Sequence, residues 1–213
     1  MDVVTQNLHD IGTGLGITAL LTVIGFAGAM VIGSLVAMCR VSPVLPLRAA
    51  GTLYVEFFRN IPLLSLLILF VFGLPDLGIT ISLFWCAALG LILAAGAFVC
   101  ESIRSGVNAI PIGQAEAARA IGLTFTQSLR LVILPQALRT MIAPLVNSFI
   151  GVALGSSLAS AVGVADLTNR TEFIMLQNAE PVIFVAAGVL YMAIAFGGSG
   201  VGAALERKLR IGR

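Results

Sequence analysis

The chain has 213 residues, of which 59% are hydrophobic and only 10% charged, with a formal net charge of +2. A soluble globular domain carries about 25% charged residues. This composition therefore excludes a water-soluble fold and points to a bilayer as the natural solvent. It also lacks the long basic run that a nucleic-acid partner would need.

The charges are clustered. Residues 11–39, 77–100, 140–165 and 181–205 contain none, and a shorter gap at 60–75 extends backwards through Leu53, Val55, Phe57 and Phe58. A helix crosses the hydrocarbon core with about 20 apolar residues. The runs do not alternate as barrel strands would. The reading is an all-α membrane protein with five transmembrane helices near 15–39, 52–73, 81–104, 139–163 and 182–204, forming one domain over 1–213. The first apolar run is preceded only by Asp2 and Asp10. A secretory signal has a positive n-region, so this run is read as a retained span.

Orientation follows from the cations, which collect on the inner side of a membrane. With the N-terminus outside, the inner side holds Arg40, Arg48, Arg104, Arg119, Arg130, Arg139, Arg207, Lys208, Arg210 and Arg213. The outer side holds only Arg170, and Arg59 falls inside the second span. Asp2, Asp10, Asp76, Asp166, Glu172 and Glu180 then lie outside. The expected topology is N-terminus out, C-terminus cytoplasmic, with a cytoplasmic loop over about 105–138.

That loop carries its own structure signals. Asn108 or Pro111 opens an alanine-rich helix over Ile112–Ile121, and Gly122 is a C-terminal stop. Thr124 followed three residues on by Gln127 fits a capping box. A second helix is predicted to run to about Leu134, with Pro135 kinking or ending it. Two short helices joined at a glycine make a compact polar knob.

Other signals are weaker. Gly151–Gly155 and Gly198–Gly202 match the close-packing GxxxG spacing. Cys39, Cys86 and Cys100 lie in apolar runs without CxxC spacing and read as small core residues. His9 has no metal-ligand partner at a useful spacing. Gly12, Gly14 and Gly16 open an apolar helix and do not follow a strand, so no dinucleotide site is implied. No GxxxxGK[ST] phosphate loop is present, and no catalytic residue is assigned.

Four blocks in order carry a resemblance. Tyr54-Val55-Glu56-Phe57-Phe58-Arg59-Asn60-Ile61-Pro62-Leu63-Leu64 comes first, then Glu101-Ser102-Ile103-Arg104-Ser105-Gly106-Val107 with Ile110–Gln114. Glu116-Ala117-Ala118, Gly122 and Ile133-Leu134-Pro135 form the third, and Ser156–Val164 the fourth. Together they resemble the permease subunits of ATP-binding-cassette importers for polar amino acids, with the Glu-Ala-Ala loop of that family. The segments around Arg40–Val44 and Glu101–Asn108 look similar to its glutamate permeases.

The resemblance implies a type I importer permease fold and a subunit that forms a translocation path without hydrolysing ATP. It implies two cytoplasmic ATPase subunits, a second permease subunit (similar or identical), and an extracytoplasmic binding protein in a bacterial plasma membrane. ATP and magnesium would be held by the partner subunits, with no cofactor or metal in this chain. Gln114, Glu116, Ala117, Ala118, Arg119, Gly122 and Pro135 become the candidate ATPase-coupling residues. Glu56, Arg59, Glu101, Arg104, Ser156 and Ser157 are candidates for gating or the substrate path, with Glu56–Arg59 and Glu101–Arg104 each spaced for an intrahelical ion pair. Leu154-Gly155 departs from the family pattern, where a basic residue and then a polar one precede the Ser-Ser-Leu block, and this counts against an intramembrane amino-acid pocket. The competing reading is a self-sufficient secondary transporter or small channel. It would need ionisable groups deep in the spans, which are nearly absent here.

Overall fold

The computed structural model describes residues 2–208. Arg210, Arg213 and the side chain of Asp2 lie outside the described residues. Among those residues every regular element is helical. After a single turn at Asp2–Gln6, α1 runs over Leu8–Val41. It is followed by α2 (Leu45–Asn60), α3 (Leu63–Asp76), α4 (Leu83–Asn108) and α5 (Ile112–Ala120). The chain closes with α6 (Phe125–Val162), α7 (Leu167–Asn178) and α8 (Val182–Lys208). The helices α1, α4, α6 and α8 are each long and apolar enough to cross a bilayer, and α2 with α3 makes a fifth, broken crossing.

The break differs from the straight second span expected from composition. The pair is bent by 104°. Pro62 is the cause. Its ring disfavours helical geometry at the residue before it, and Ile61 is extended at φ −86°, ψ 131°.

The bundle is built on α1. Its buried positions are small: Gly14, Thr18, Gly25, Ala29, Gly33 and Ala37 recur along one face. Between membrane helices, where lipid is as apolar as leucine, such residues let backbones approach closely. A methyl group at Gly25 would meet Val152 and Leu91 at 3.1 and 3.2 Å, and one at Gly33 would press on the Gly96 carbonyl at 2.7 Å. The core that results joins Leu21, Leu67, Ala88, Leu91, Val99 and Val152. Helix α8 is the most peripheral span. It packs through Gly198 against Phe149 and through Gly202 against Val146 of α6, so one of the two GxxxG pairs seats a helix. In the other pair, Gly151 meets nothing within 4 Å while Gly155 faces Leu63 at 3.2 Å.

Helix α6 is longer than the predicted fourth span. The second loop helix does not end at Pro135 but continues into the membrane as one element, Phe125–Val162. A π-helical turn at Leu129–Ile133 makes this possible. Proline removes a donor and crowds the carbonyl four residues back. A widened turn gives the ring room, and the Gln136 side chain donates to the Val132 carbonyl at 2.8 Å. At its far end α6 tightens into a 3-10 segment, Ser156–Val162, and stops at Gly163 with φ +87°.

Helix α7 was not anticipated. Asp166 caps it, accepting from the Asn169 amide at 2.9 Å. Tyr191 of α8 donates to the other carboxylate oxygen at 3.3 Å. The Thr18 hydroxyl of α1 accepts from the Leu167 amide at 3.0 Å. Asp166 is fully buried, and burial pushes its carboxyl up to about 6. This network ties α1, α7 and α8 together at the end of the bundle away from the loop helices.

Candidate functional site

Two features stand out: a cavity inside the helix bundle and the polar knob joined to it. The cavity holds about 710 Å³ and lies between the α2–α3 break, α4 and α6. Its walls are mostly apolar, with polar groups from Arg59, Glu101, Ser102, Ser105, Asn147 and Ser148. The Pro62 break exposes the end of α2 to this space. The α4 contribution follows from helical spacing, since Phe98, Glu101, Ser102 and Ser105 share one face. A second cavity of about 450 Å³ is lined by Glu101, Arg104, Ser105, Asn108 and Ala109. Glu101 and Ser105 belong to both, so they stand at the neck between them.

The neck is ionic. One oxygen of Glu101 accepts from Arg40 at the end of α1 and from Arg104 one turn further along α4, the latter at 3.2 Å. Arg40 is only 12% exposed, so this contact is a partly buried tie between two helices. The Glu101–Arg104 spacing was legible in the sequence, whereas Arg40 lies 61 residues away and gave no signal.

The other candidate pair behaves differently. No ion pair joins Glu56 to Arg59 among the described residues. Glu56 is exposed, and only its backbone carbonyl is engaged, by Asn60. Arg59 instead lies over the Phe98 ring, 5.8 Å from its centroid, at the cavity wall. Ser156 and Ser157 are not among the cavity-lining residues. Their hydroxyls donate back to the Ala153 and Leu154 carbonyls at 2.7 and 2.6 Å. Phe98, Ser102, Ser105 and Asn147 were not among the candidate site residues read from the sequence, although Ser102 and Ser105 fall in the Glu101–Val107 block. A serine or asparagine in an apolar run was the available signal, and it does not say which face is open.

The knob is shaped by local chemistry. Helix α5 ends in a full Schellman arrangement. Leu123 N–H donates to the Ala118 carbonyl at 3.1 Å and Gly122 N–H to the Arg119 carbonyl at 2.9 Å. Gly122 takes φ +84° there, a conformation an L side chain resists. The capping box at Thr124 and Gln127 is fully formed. Ala118 is buried against the rest of the molecule, while Glu116, Ala117 and Arg119 face outwards, and neither Glu116 nor Arg119 enters an ion pair among the described residues. Large apolar side chains are bare beside them: Ile112 is 77%, Ile121 78% and Phe125 82% exposed. Gln114 meets Gln136 at 3.5 Å, and Pro135 lies between the π turn and the membrane part of α6. At the other root of the knob, Thr140 of α6 donates to the Gly106 carbonyl of α4 at 2.9 Å.

A multi-pass helical bundle with a polar-necked cavity, carrying a separate knob that shares a helix with the cavity wall, defines a membrane transport component. Residues 29–211 match the family of binding-protein-dependent transport system inner membrane components. The chain belongs to that family. It is 38% identical over 180 residues to the probable glutamine ABC transporter permease protein GlnM of Bacillus subtilis, covering 83% of each chain. It is 37% identical over 206 residues to the glutamate transport system permease protein GluC of Corynebacterium efficiens, covering 90% of each. The L-cystine transport system permease protein TcyB of Bacillus subtilis is 36% identical, over 98% of this chain and 90% of that protein. Among solved structures, an amino acid ABC transporter crystallised with histidines superposes with a TM-score of 0.89 at 29% identity, covering 96% of each chain. The chain is thus an amino-acid ABC transporter permease subunit of the inner membrane, with the type I importer fold.

Proposed function

We propose that this subunit forms half of the translocation path of an ATP-driven importer for a polar amino acid, glutamate or a close relative. It works with a second permease subunit, two ATPase subunits that bind ATP and magnesium, and a binding protein that delivers substrate. The observation that carries this reading is the continuity of α6, which begins in the knob and runs on through the wall of the cavity. A helix so placed converts a rigid-body movement at the knob into a change of cavity shape. Gln114, Glu116, Ala117, Ala118, Arg119 and Gly122 form the coupling surface, within one domain whose coupling loop spans about 105–138, and Pro135 sits at the root of the lever. In this reading the knob faces the cytoplasm and the N-terminus lies outside, an orientation that the cation distribution supports. The glutamate preference rests on sequence likeness, since relatives named for glutamine, cystine and glutamate are similarly close.

The test is reconstitution in proteoliposomes. Uptake of L-glutamate is expected to require ATP, the ATPase subunits and the binding protein together. Uptake by this chain alone, driven by an ion gradient, contradicts the proposal. A cysteine placed at Gln127 is expected to stay unlabelled by an impermeant reagent in sealed right-side-out cells, and labelling overturns the orientation.

A further inference from the structure

We infer that the groove between α1, α6 and α8 is a binding site for an anionic phospholipid. One acyl chain lies in the groove, and Arg139 and Lys208 hold the phosphate at its mouth. Three observations carry this.

First, the groove has the chemistry and length of one acyl chain. A further cavity of about 450 Å³ opens between the three helices, and no polar side chain lines it. Gly198 and Gly202 bring α8 so close to α6 that a methyl group on either would strike Phe149 or Val146. Phe26 of α1 closes the far wall, edge-on to Phe149. Val201 and Leu205 also line the groove and are exposed. Left empty inside a bilayer, the lining atoms would lack dispersion partners, and acyl chains are the neighbours that can supply them. The α8 lining runs from Ile194 to Leu205. At about 1.5 Å per residue this is about 17 Å, against about 15 Å for half of a hydrocarbon core. The leaflet is the one beside the knob, since α6 leaves the knob and passes Arg139 before it lines the groove at Ile142.

Second, both apolar stripes end in a cation. Arg139, Ile142, Val146 and Phe149 fall at i, i+3, i+7 and i+10 of α6. Ile194, Gly198, Val201, Leu205 and Lys208 fall at i, i+4, i+7, i+11 and i+14 of α8. Arg139 and Lys208 are exposed at the knob-side surface, and neither enters an ion pair among the described residues. Arg207 lies beside them, its Nε donating to the Ala203 carbonyl at 3.2 Å. Glu206 is the one acid between residues 201 and 213. Basic pockets between helix ends at a membrane surface take anionic headgroups, so charge and groove select the same ligand.

Third, the groove lies on the far side of α6 from the large cavity. Pro144, Ser148 and Gly151 line that cavity, whereas Ile142, Val146 and Phe149 line the groove. The two sets occupy opposite faces of one helix. A second permease subunit that completes the path sits on the cavity side, which leaves the groove to lipid. This last step rests on reading the cavity as the path; the groove and its cations stand without it.

The experiment measures lipid binding to the delipidated permease–ATPase complex in detergent and needs no transport, so its failure is distinct from failure of that reading. The probes are dioleoyl phosphatidylglycerol, dioleoyl phosphatidylcholine and water-soluble glycerol phosphate. Wild type is expected to retain phosphatidylglycerol about ten-fold more tightly than phosphatidylcholine, with the preference shrinking as salt is raised. Arg139→Gln with Lys208→Gln should bring phosphatidylglycerol down to the phosphatidylcholine level. Val201→Trp, which fills the groove from its exposed side and leaves the cations in place, should weaken both lipids. Melting temperature checks that each variant is folded, and the two variants perturb different parts of the site, so either can stand if the other fails to assemble.

Equal retention of the two lipids by wild type overturns the inference, as does unchanged phosphatidylglycerol binding in a folded variant of either kind. Displacement of phosphatidylglycerol by glycerol phosphate would make the cations a phosphate site without the groove, and overturns it too. Val201→Cys tests the remaining occupant. A disulfide joining two permease subunits through that cysteine, in membranes where uptake is working, would show that a second copy of the chain covers the groove in place of lipid.

Discussion

Gly106 is the most informative position to perturb, because it sits where the root of the knob meets the third crossing. A methyl group added there would fall on the Met141 Cγ and within 3.3 Å of the Ala137 carbonyl. The carbonyl belongs to the helix backbone of α6 and cannot turn aside. Overpacking of this kind costs about 1–3 kcal/mol. Alanine recovers close to 1 kcal/mol of helix propensity relative to glycine, leaving a net loss of about 0–2 kcal/mol, centred on about 1. For a chain of this size a loss of about 1 kcal/mol corresponds to a fall in melting temperature of about 2–4 °C. The assay is thermal unfolding of the purified complex in detergent, for Gly106→Ala, Met141→Ala and the double variant. Removing the Met141 side chain makes room for the new methyl group, so the double variant should be more stable than the two single effects predict, by about 1 kcal/mol or more. Substrate-stimulated ATPase activity should fall with Gly106→Ala, since the α4–α6 joint then no longer seats. An unchanged melting temperature with strictly additive effects would refute the idea that this close approach holds the joint together.

Three further outcomes are expected. Asp166 titrates near 6 in the folded chain against an ordinary value of 3.8, so the fold favours its protonated form. The stability this confers is complete below about pH 4 and is lost as pH rises through about 6. Asp166→Asn, which keeps a capping side chain, should flatten the decline of melting temperature across that window, and an unchanged slope would count against it. Glu101→Gln leaves Arg40 largely buried without its carboxylate and should destabilise by about 1–3 kcal/mol, with a double-mutant cycle against Arg40→Gln showing positive coupling; additivity would mean the tie carries no energy. Gly122→Val forces a β-branched residue to φ +84°, costing about 1–2 kcal/mol locally. It should uncouple ATP hydrolysis from uptake before it lowers overall stability, and intact coupling would show that the turn does not transmit movement.

The parts of this fold written in local chemistry were legible in the sequence. Gly122 and the Thr124–Gln127 box each act within four residues, so the knob could be read directly, and the apolar runs announced the crossings. The break at Ile61–Pro62 was also written locally, but the apolar run continued across it and masked the proline. The passage of α6 through Pro135 was not legible, because a proline allows either an end or a widened turn and packing against α5 and α4 decides between them. Helix α7 also has a local cap, Asp166 accepting from the Asn169 amide, but its polar segment between two apolar runs carries no clear amphipathic pattern, and Thr18 and Tyr191 secure it from two other helices. The candidate site divided in the same way. Glu101–Arg104 is a contact of one helical turn and was visible, while the identical spacing at Glu56–Arg59 gave no pair because Arg59 turns to Phe98 on another helix. The cavity itself is assembled from three segments far apart in the chain, and no window of sequence contains it.

In the proposed coupling, force enters through the knob from an ATPase subunit seated on Ala117 and its neighbours. A photoreactive side chain placed at Ala117, activated in membranes that are importing amino acid, tests this most directly. Nucleotide-dependent cross-linking to an ATPase subunit is the predicted result. Cross-links to lipid alone, at full uptake, would contradict the account.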